Sequence, residues 1–261
     1  MSQDLVLVTV DGPIATVMLN DPPMNPVSGR TLDALHAALD KVEQQRTVRC
    51  VIFSGAGEKA FCAGGDLRQE SQFQDASAGK VFREYGRKSL ERLETFPKPI
   101  VAAIHGYCIG GGTALAWSCD YRLAADNAVF RAGDAYLGLI PSWGMGLTRL
   151  PRLVGRNKVL DILLLGQNFG AAEAHDLGLV SRVVPRADLM REARTVAERI
   201  ASASPTAILA TRKAIAYGLR HSWADMVRYE EELCEHVFEH PDAKEGMQAF
   251  FEKRPTKFED I

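Results

Sequence analysis

Residues Ile100 to Asp120 read IVAAIHGYCIGGGTALAWSCD. Ile100–Ile104 is short, apolar and β-branched at both ends, which predicts a buried strand, while Thr113–Cys119 predicts the opening of a buried helix. Gly110, Gly111 and Gly112 lie between the two. Three glycines in a row carry a large ordering entropy, so a turn built from them calls for a reason. One reason is chemical. Amides without Cβ neighbours at a helix N-terminus have no intrahelical acceptor, and the helix dipole adds positive character, so such a turn suits a negatively charged oxygen. The competing reason is close packing, since glycine-rich strand-to-helix turns are common in α/β proteins. From this stretch alone the two stand even.

A second stretch tips the balance. FCAGGDL, Phe61–Leu67, follows another predicted buried strand, Val51–Ser54, and again places small residues where amides can face a ligand. Two such turns can supply a pair of donors. FCAGGDL and HGYCIGGGTALAWSCD are similar to the two oxyanion-hole segments of the crotonase superfamily, the enoyl-CoA hydratases and isomerases. The resemblance continues through AVFRAGDAYLGLIPSWGMGLTRLPRLVG (Ala128–Gly155), AAEAHDLGLVSRVVP (Ala171–Pro185) and EGMQAFFEKRPTKF (Glu245–Phe258).

The resemblance implies an α/β fold, a spiral of ββα turns over residues 1–200. A helical C-terminal region, residues 201–261, would mediate trimerisation as part of the same functional unit. It also implies an acyl-CoA substrate, with coenzyme A part of that substrate and no separate cofactor. Ala63 and Gly111 would supply the amides that hold the thioester oxygen, and Ala63, Gly64, Gly65, Asp66 and Leu67 would contact the substrate. Phe250 and Lys253 would reach the CoA of a neighbouring subunit in a homotrimer or dimer of trimers. Asp134, in FRAGDAYLGL, falls on the position of the family's second catalytic glutamate. Without the resemblance it reads as a turn aspartate after glycine.

The departures from the pattern are as informative. Where the hydratases carry their first catalytic glutamate, two residues after Gly112, this chain has Ala114. A position used as aspartate by some isomerases, and as a nucleophile by a dehalogenase of the superfamily, is Ser142. Alanine moves no proton, and Ser142 has no evident base beside it. The expectation is therefore proton transfer by one carboxylate, an isomerase or related lyase. A true hydratase, which would need a substitute acid from the 67–85 region, and a non-catalytic acyl-CoA-binding scaffold are the alternatives.

Composition sets outer limits. The 261 residues are 46% hydrophobic and 25% charged with a formal net charge of −2, which suits a soluble single domain and leaves no electrostatic footprint for nucleic acid. No apolar run reaches a bilayer span and no export signal opens the chain, so a cytoplasmic protein with no membrane partner is expected. Five cysteines without a CxxC pair read as buried thiols of a reducing compartment. HVFEH, His236–His240, matches an inverted zinc-protease pattern, yet Pro241 ends the helix at once and no third ligand follows, so no metal is expected. GAGEKA, Gly55–Ala60, is a lax dinucleotide fingerprint without the helix it requires.

Periodicity predicts further elements. Leu5–Val10 and Ile14–Leu19 flank Asp11-Gly12-Pro13 as a hairpin, and Ser28 is a candidate N-cap for a helix over Gly29–Gln45. Leu67–Lys80 has no clean period and reads as loose helix or loop. Phe82–Leu93 reads as helix, Tyr121–Ala124 and Ala128–Arg131 as short strands, and a run of helices follows Trp143.

Overall fold

The computed structural model describes residues 4–73 and 75–259; within the loose 67–80 segment, Gln74 lies outside the described residues. The chain opens with the expected hairpin, β1 (Val6–Asp11) against β2 (Ile14–Leu19), antiparallel in register from Val6–Leu19 to Asp11–Ile14. Helix α1 (Gly29–Glu43) begins where predicted. Ser28 Oγ accepts the Thr31 amide at 3.1 Å, and Thr31 Oγ1 accepts the Ser28 amide at 3.2 Å. A reciprocal cap of this kind contributes about 1 kcal/mol.

From β3 the chain winds. β3 (Cys50–Gly55) leads to β4 (Ala60–Cys62) and then to α2 (Leu67–Glu70) and α3 (Ala76–Glu94). The next turn is β5 (Ile100–Ile104), β6 (Tyr107–Ile109) and α4 (Gly111–Trp117). A third is β7 (Tyr121–Ala125), β8 (Val129–Arg131), a 3₁₀ turn at Asp134–Leu137, a π-helical turn at Met145–Arg149 and α5 (Leu150–Leu165). Each turn places its first strand in a six-stranded sheet, ordered β1-β2-β3-β5-β7-β10, and its second in a smaller sheet, β4-β6-β8-β9. The pairings β3–β5, β5–β7, β4–β6 and β6–β8 are all parallel, as a spiral requires. After α5 come β9 (Phe169–Gly170), α6 (Ala171–Asp176), β10 (Arg182–Val184), α7 (Leu189–Ala201), α8 (Pro205–Gly218), α9 (Trp223–Glu239) and α10 (Pro241–Glu252). The spiral of ββα turns with a helical C-terminal region is thus present.

Strand alternation divides the core. Val51, Phe53, Ala102 and Ile104 face the main core, while Cys50, Ile52, Val101 and Ala103 face α7. On α7, Leu189, Ala193, Ala197 and Ala201 recur every four residues, so a narrow stripe lets the helix approach the sheet closely. Each fully buried large side chain, such as Phe53, Phe61 or Leu32, contributes about 2 kcal/mol relative to exposure.

Two boundaries differ from expectation. Helix α3 starts at Ala76, not Phe82, because Asp75 caps it, its carboxylate accepting the Ser77 and Ala78 amides at 2.8 and 2.9 Å. Helix α4 starts at Gly111, so two of the three glycines belong to its first turn. Helix α5 is kinked at Gly155, whose φ of 76° is non-helical. No helix among the described residues is long and apolar enough to cross a membrane.

Candidate active site

The two glycine turns meet. Val27 lies alongside Gly65 in parallel fashion, its amide donating to the Gly64 carbonyl at 2.8 Å and its carbonyl accepting the Asp66 amide at 2.9 Å. In such a ladder the residue between the two bonds turns its own amide the other way. Gly65 N–H accordingly faces away from Val27 and has no acceptor among the described residues. It stands 3.5 Å from the point a Cβ on Gly111 would occupy, and Gly111 N stands 3.3 Å from the corresponding point on Gly64. The Gly111 amide also lacks an acceptor among the described residues, since the first intrahelical bond of α4 runs from the Ala114 amide to the Gly110 carbonyl.

This geometry corrects one expectation. The Ala63 amide donates to the Met24 carbonyl at 2.9 Å, so it has no second bond to give an oxyanion. The amide left free beside that of Gly111 is the one at Gly65. The reassignment depends on the proline-rich loop before α1 returning its Met24 carbonyl to residue 63, a long-range contact invisible to local pattern. Two glycines hold the turns together. Gly64 has a φ of 95° and a Cβ there would stand 2.7 Å from the Ile109 carbonyl oxygen. A Cβ on Gly112 would overlap the Cys62 carbonyl oxygen and lie 2.9 Å from its carbon.

Both amides border a cavity of about 680 Å³. Asp134, at the head of the 3₁₀ turn after β8, enters it. Burial raises its carboxyl above the usual aspartate range, and Oδ2 is buried with no hydrogen-bond partner. Such a group holds its proton more tightly than an exposed aspartate. Ala114 and Ser142 also line the cavity. The Ser142 carbonyl accepts from Arg87 Nη1 at 3.2 Å. Trp143 roofs the helix start, its ring 3.1 Å from the point of a Gly111 Cβ and edge-on to Phe82 at 5.5 Å between centroids.

A second carboxyl enters from α2. Glu70 lines the same cavity, and a Cβ on Gly65 would overlap its Oε1, so the bare glycine backbone is what admits it. Burial raises the Glu70 carboxyl first, then the negative charges of Asp134 and Asp66 add to the shift. The sequence pointed only to the 67–85 region for a substitute acid. Within that polar, aperiodic stretch nothing separates Glu70 from the other carboxylates.

The remaining predicted residues divide. Leu67 and Gly64 border the cavity. Asp66 is not among its lining residues: its Oδ1 caps α2 by accepting the Arg68 amide at 3.0 Å, and its amide donates to the Val27 carbonyl. Phe250 and Lys253 lie at the end of α10, exposed and outside this cavity. Cys62 and Cys108 are fully buried, and burial pushes the Cys62 thiol up to about 12, so neither is poised as a nucleophile. His105 is buried against the Gly57 carbonyl at 3.0 Å, and no group of three or more metal-ligating side chains occurs among the described residues.

Comparison with known proteins agrees with this architecture. Residues 9–261 match the family described as enoyl-CoA hydratase/isomerase. The short-chain-enoyl-CoA hydratase of Clostridium acetobutylicum is 36% identical, with 97% of each chain covered. The crotonyl-CoA hydratase of Syntrophomonas wolfei is 33% identical, with 99% of each covered. The crystal structure of an enoyl-CoA hydratase from Bacillus anthracis superposes with a TM-score of 0.93 at 34% identity, covering 98% of this chain and 99% of that one. With a match along almost its whole length and the two glycine turns facing one cavity, the chain belongs to the enoyl-CoA hydratase/isomerase family of the crotonase superfamily.

Proposed function

We propose that the protein adds water across the double bond of a 2-enoyl-CoA, with Glu70 and Asp134 as the proton-transfer pair. The observation that carries this reading is a second buried carboxyl in the cavity that holds Asp134 and the free amides of Gly65 and Gly111. Two carboxyls in one desolvated site resist ionising together, so one keeps a proton while the other is a base.

Glu70 takes a proton from water as the water oxygen bonds to C3. The C2–C3 π electrons move toward the thioester, and negative charge develops on its oxygen, where the two amides donate. Asp134 then delivers its proton to C2. The product is a 3-hydroxyacyl-CoA, and return of the proton from Glu70 to Asp134 resets the pair. Because charge on the oxygen is greatest in the transition state, fixed donors lower the barrier more than they tighten substrate binding. Each is worth roughly 3 kcal/mol. Ala114 carries no proton in this scheme, and Glu70 does the work its position would otherwise perform. The names of the relatives add support for hydration over isomerisation.

Glu70→Gln separates this reading from the single-carboxylate isomerase. In ¹⁸O-labelled water, wild type should convert crotonyl-CoA to a labelled 3-hydroxy product. Glu70→Gln should slow that conversion at least about a hundredfold while exchange of the C2 proton persists. Wild-type protein that moves the double bond of a 3-enoyl-CoA but incorporates no label would show Asp134 working alone. Binding of every thioester without turnover would make the protein a scaffold.

The proposal extends to assembly. Helix α9 buries no residue within the chain, and Trp223, Phe238, Phe250 and Phe251 are 83, 74, 79 and 78% exposed. Large apolar side chains left in water to this degree mark an interaction surface. Copies of the chain would cover them, bringing Phe250 and Lys253 toward a neighbouring CoA. Light scattering at micromolar concentration should give the mass of a trimer or hexamer. A monomer would refute it.

A further inference from the structure

The segment that carries Trp143 over the cavity is irregular. Residues 139–144 form neither helix nor strand, Leu139 and Ile140 are exposed, and Gly144 takes a φ of 89°. Little core burial fixes this approach to the ring, so what holds it comes from elsewhere. Helix α3 supplies three contacts. Gly86 seats the indole, which lies 2.5 Å from the point a Cβ there would occupy. Arg87 holds the carbonyl of Ser142, just before the ring. Just after it, the Gly144 carbonyl accepts Arg149 Nη1 at 2.9 Å as well as the Thr148 hydroxyl, and Arg149 is itself held by α3.

That hold is a two-point one. Arg149 Nε and Nη2 meet the two oxygens of Glu94 at 2.5 and 2.8 Å. A planar guanidinium engaged along this edge has the direction of its Nη1 set as well, whereas an unpaired arginine spreads over many rotamers. The two side chains are only 25 and 19% exposed. Glu94 ends α3, eight residues past Gly86 and about 12 Å further along the axis. Neither Glu94 nor Arg149 lines the cavity. Glu94 Oε2 also accepts Arg220 Nη2 at 2.9 Å, a second pair that leads to the end of α8 and away from Trp143.

Resting on the hydration reading above, we propose that Glu94 is a positioning residue for that reaction. Through Arg149 it fixes the Gly144 carbonyl, and with it the Trp143 ring that lies against the backbone of Gly111. Loss of the carboxylate frees the guanidinium, lets the ring tilt and disturbs the free amide beneath it. The substrate is still bound, but the transition state is held less well.

Glu94→Gln and Arg149→Lys each break the two-point hold, since an amide is uncharged and a lysine is a point donor without a fork. Each should lower kcat for crotonyl-CoA hydration about tenfold or more with KM within about twofold of wild type, and the double variant should be no slower than the worse single one. Arg220→Gln removes the other partner of Glu94 and should keep kcat within about twofold. In protein labelled with 5-fluorotryptophan, the Trp143 ¹⁹F line, assigned by its absence from Trp143→Phe, should move in Glu94→Gln and Arg149→Lys and stay in place in Arg220→Gln. Wild-type kcat in the first two variants, or an equal loss in Arg220→Gln with a matching fall in urea midpoint, overturns the inference and leaves the hydration reading standing. Wild-type protein that hydrates nothing overturns that reading instead. The ¹⁹F line needs no substrate, and a line unmoved by Glu94→Gln overturns the positioning role in either case.

Discussion

Asp134→Asn should reduce turnover of any 2-enoyl-CoA by between a hundredfold and ten thousandfold, with the affinity for the CoA thioester retained. Asparagine keeps the shape and loses the proton that C2 must receive. The same variant should gain stability. Burial raises the folded-state pKa of Asp134 above its unfolded value, so the folded protein binds this proton more tightly, and ionisation opposes folding. The penalty is absent below the ordinary aspartate range, grows as pH rises from that range through the raised value, and is complete above it. Asp134→Asn escapes it, so its melting temperature should exceed wild type at neutral pH and the advantage should vanish in acid. Undiminished turnover would remove Asp134 from the mechanism. A stability gain independent of pH would assign the effect to packing.

Gly112→Ala should damage fold and activity together. The new methyl would overlap the carbonyl oxygen of Cys62, and that oxygen belongs to buried β4 and cannot swing aside as a flexible side chain would. Helix α4 and β4 must separate, at a cost of about 3 kcal/mol. The shift also alters the spacing of the amides at Gly65 and Gly111, for which a displacement near 1 Å costs about a hundredfold in rate. Urea unfolding and steady-state kinetics read the two effects. Gly29→Ala is the control, because a Cβ there meets only Gln69 Nε2, at an ordinary 3.6 Å, and its stability should stay within about 0.5 kcal/mol of wild type. Wild-type behaviour of Gly112→Ala would mean that the two turns are not packed as described.

Much of this architecture is legible wherever local chemistry decides it. The hairpin before α1 is written in alternation, and the start of α1 in a serine whose hydroxyl can cap it. The strand Ile100–Ile104 and the glycines after it mark the second glycine turn, and Gly111, whose amide is free, lies in it. What fails to show is set at a distance or on too small a scale. β4, β6 and β9 have two or three residues each, fewer than an alternation needs to declare itself. The first turns of α3 carry no apolar stripe, so only the Asp75 cap announces them. Ala63 and Gly65 are equally small and adjacent to the same glycine. Only the Met24 carbonyl distinguishes the spent amide from the free one. Glu70 is one acidic residue among several in a polar stretch, and its place in the cavity emerges only where Gly65 leaves room for its carboxylate.

Because the proposed oxyanion donors are main-chain amides, every amino acid except proline would bring one to those two positions. Any mutation other than one to proline can remove this half of the chemistry only by deforming the chain, whereas in the proposed mechanism a single codon change at residue 70 or 134 alters proton handling directly. Selection acting on such a protein can therefore change which bond is made while the cradle for the thioester is inherited intact. A lineage starting here could restore an acid at position 114 and still lose Glu70 without ever passing through an ancestor unable to hold the enolate.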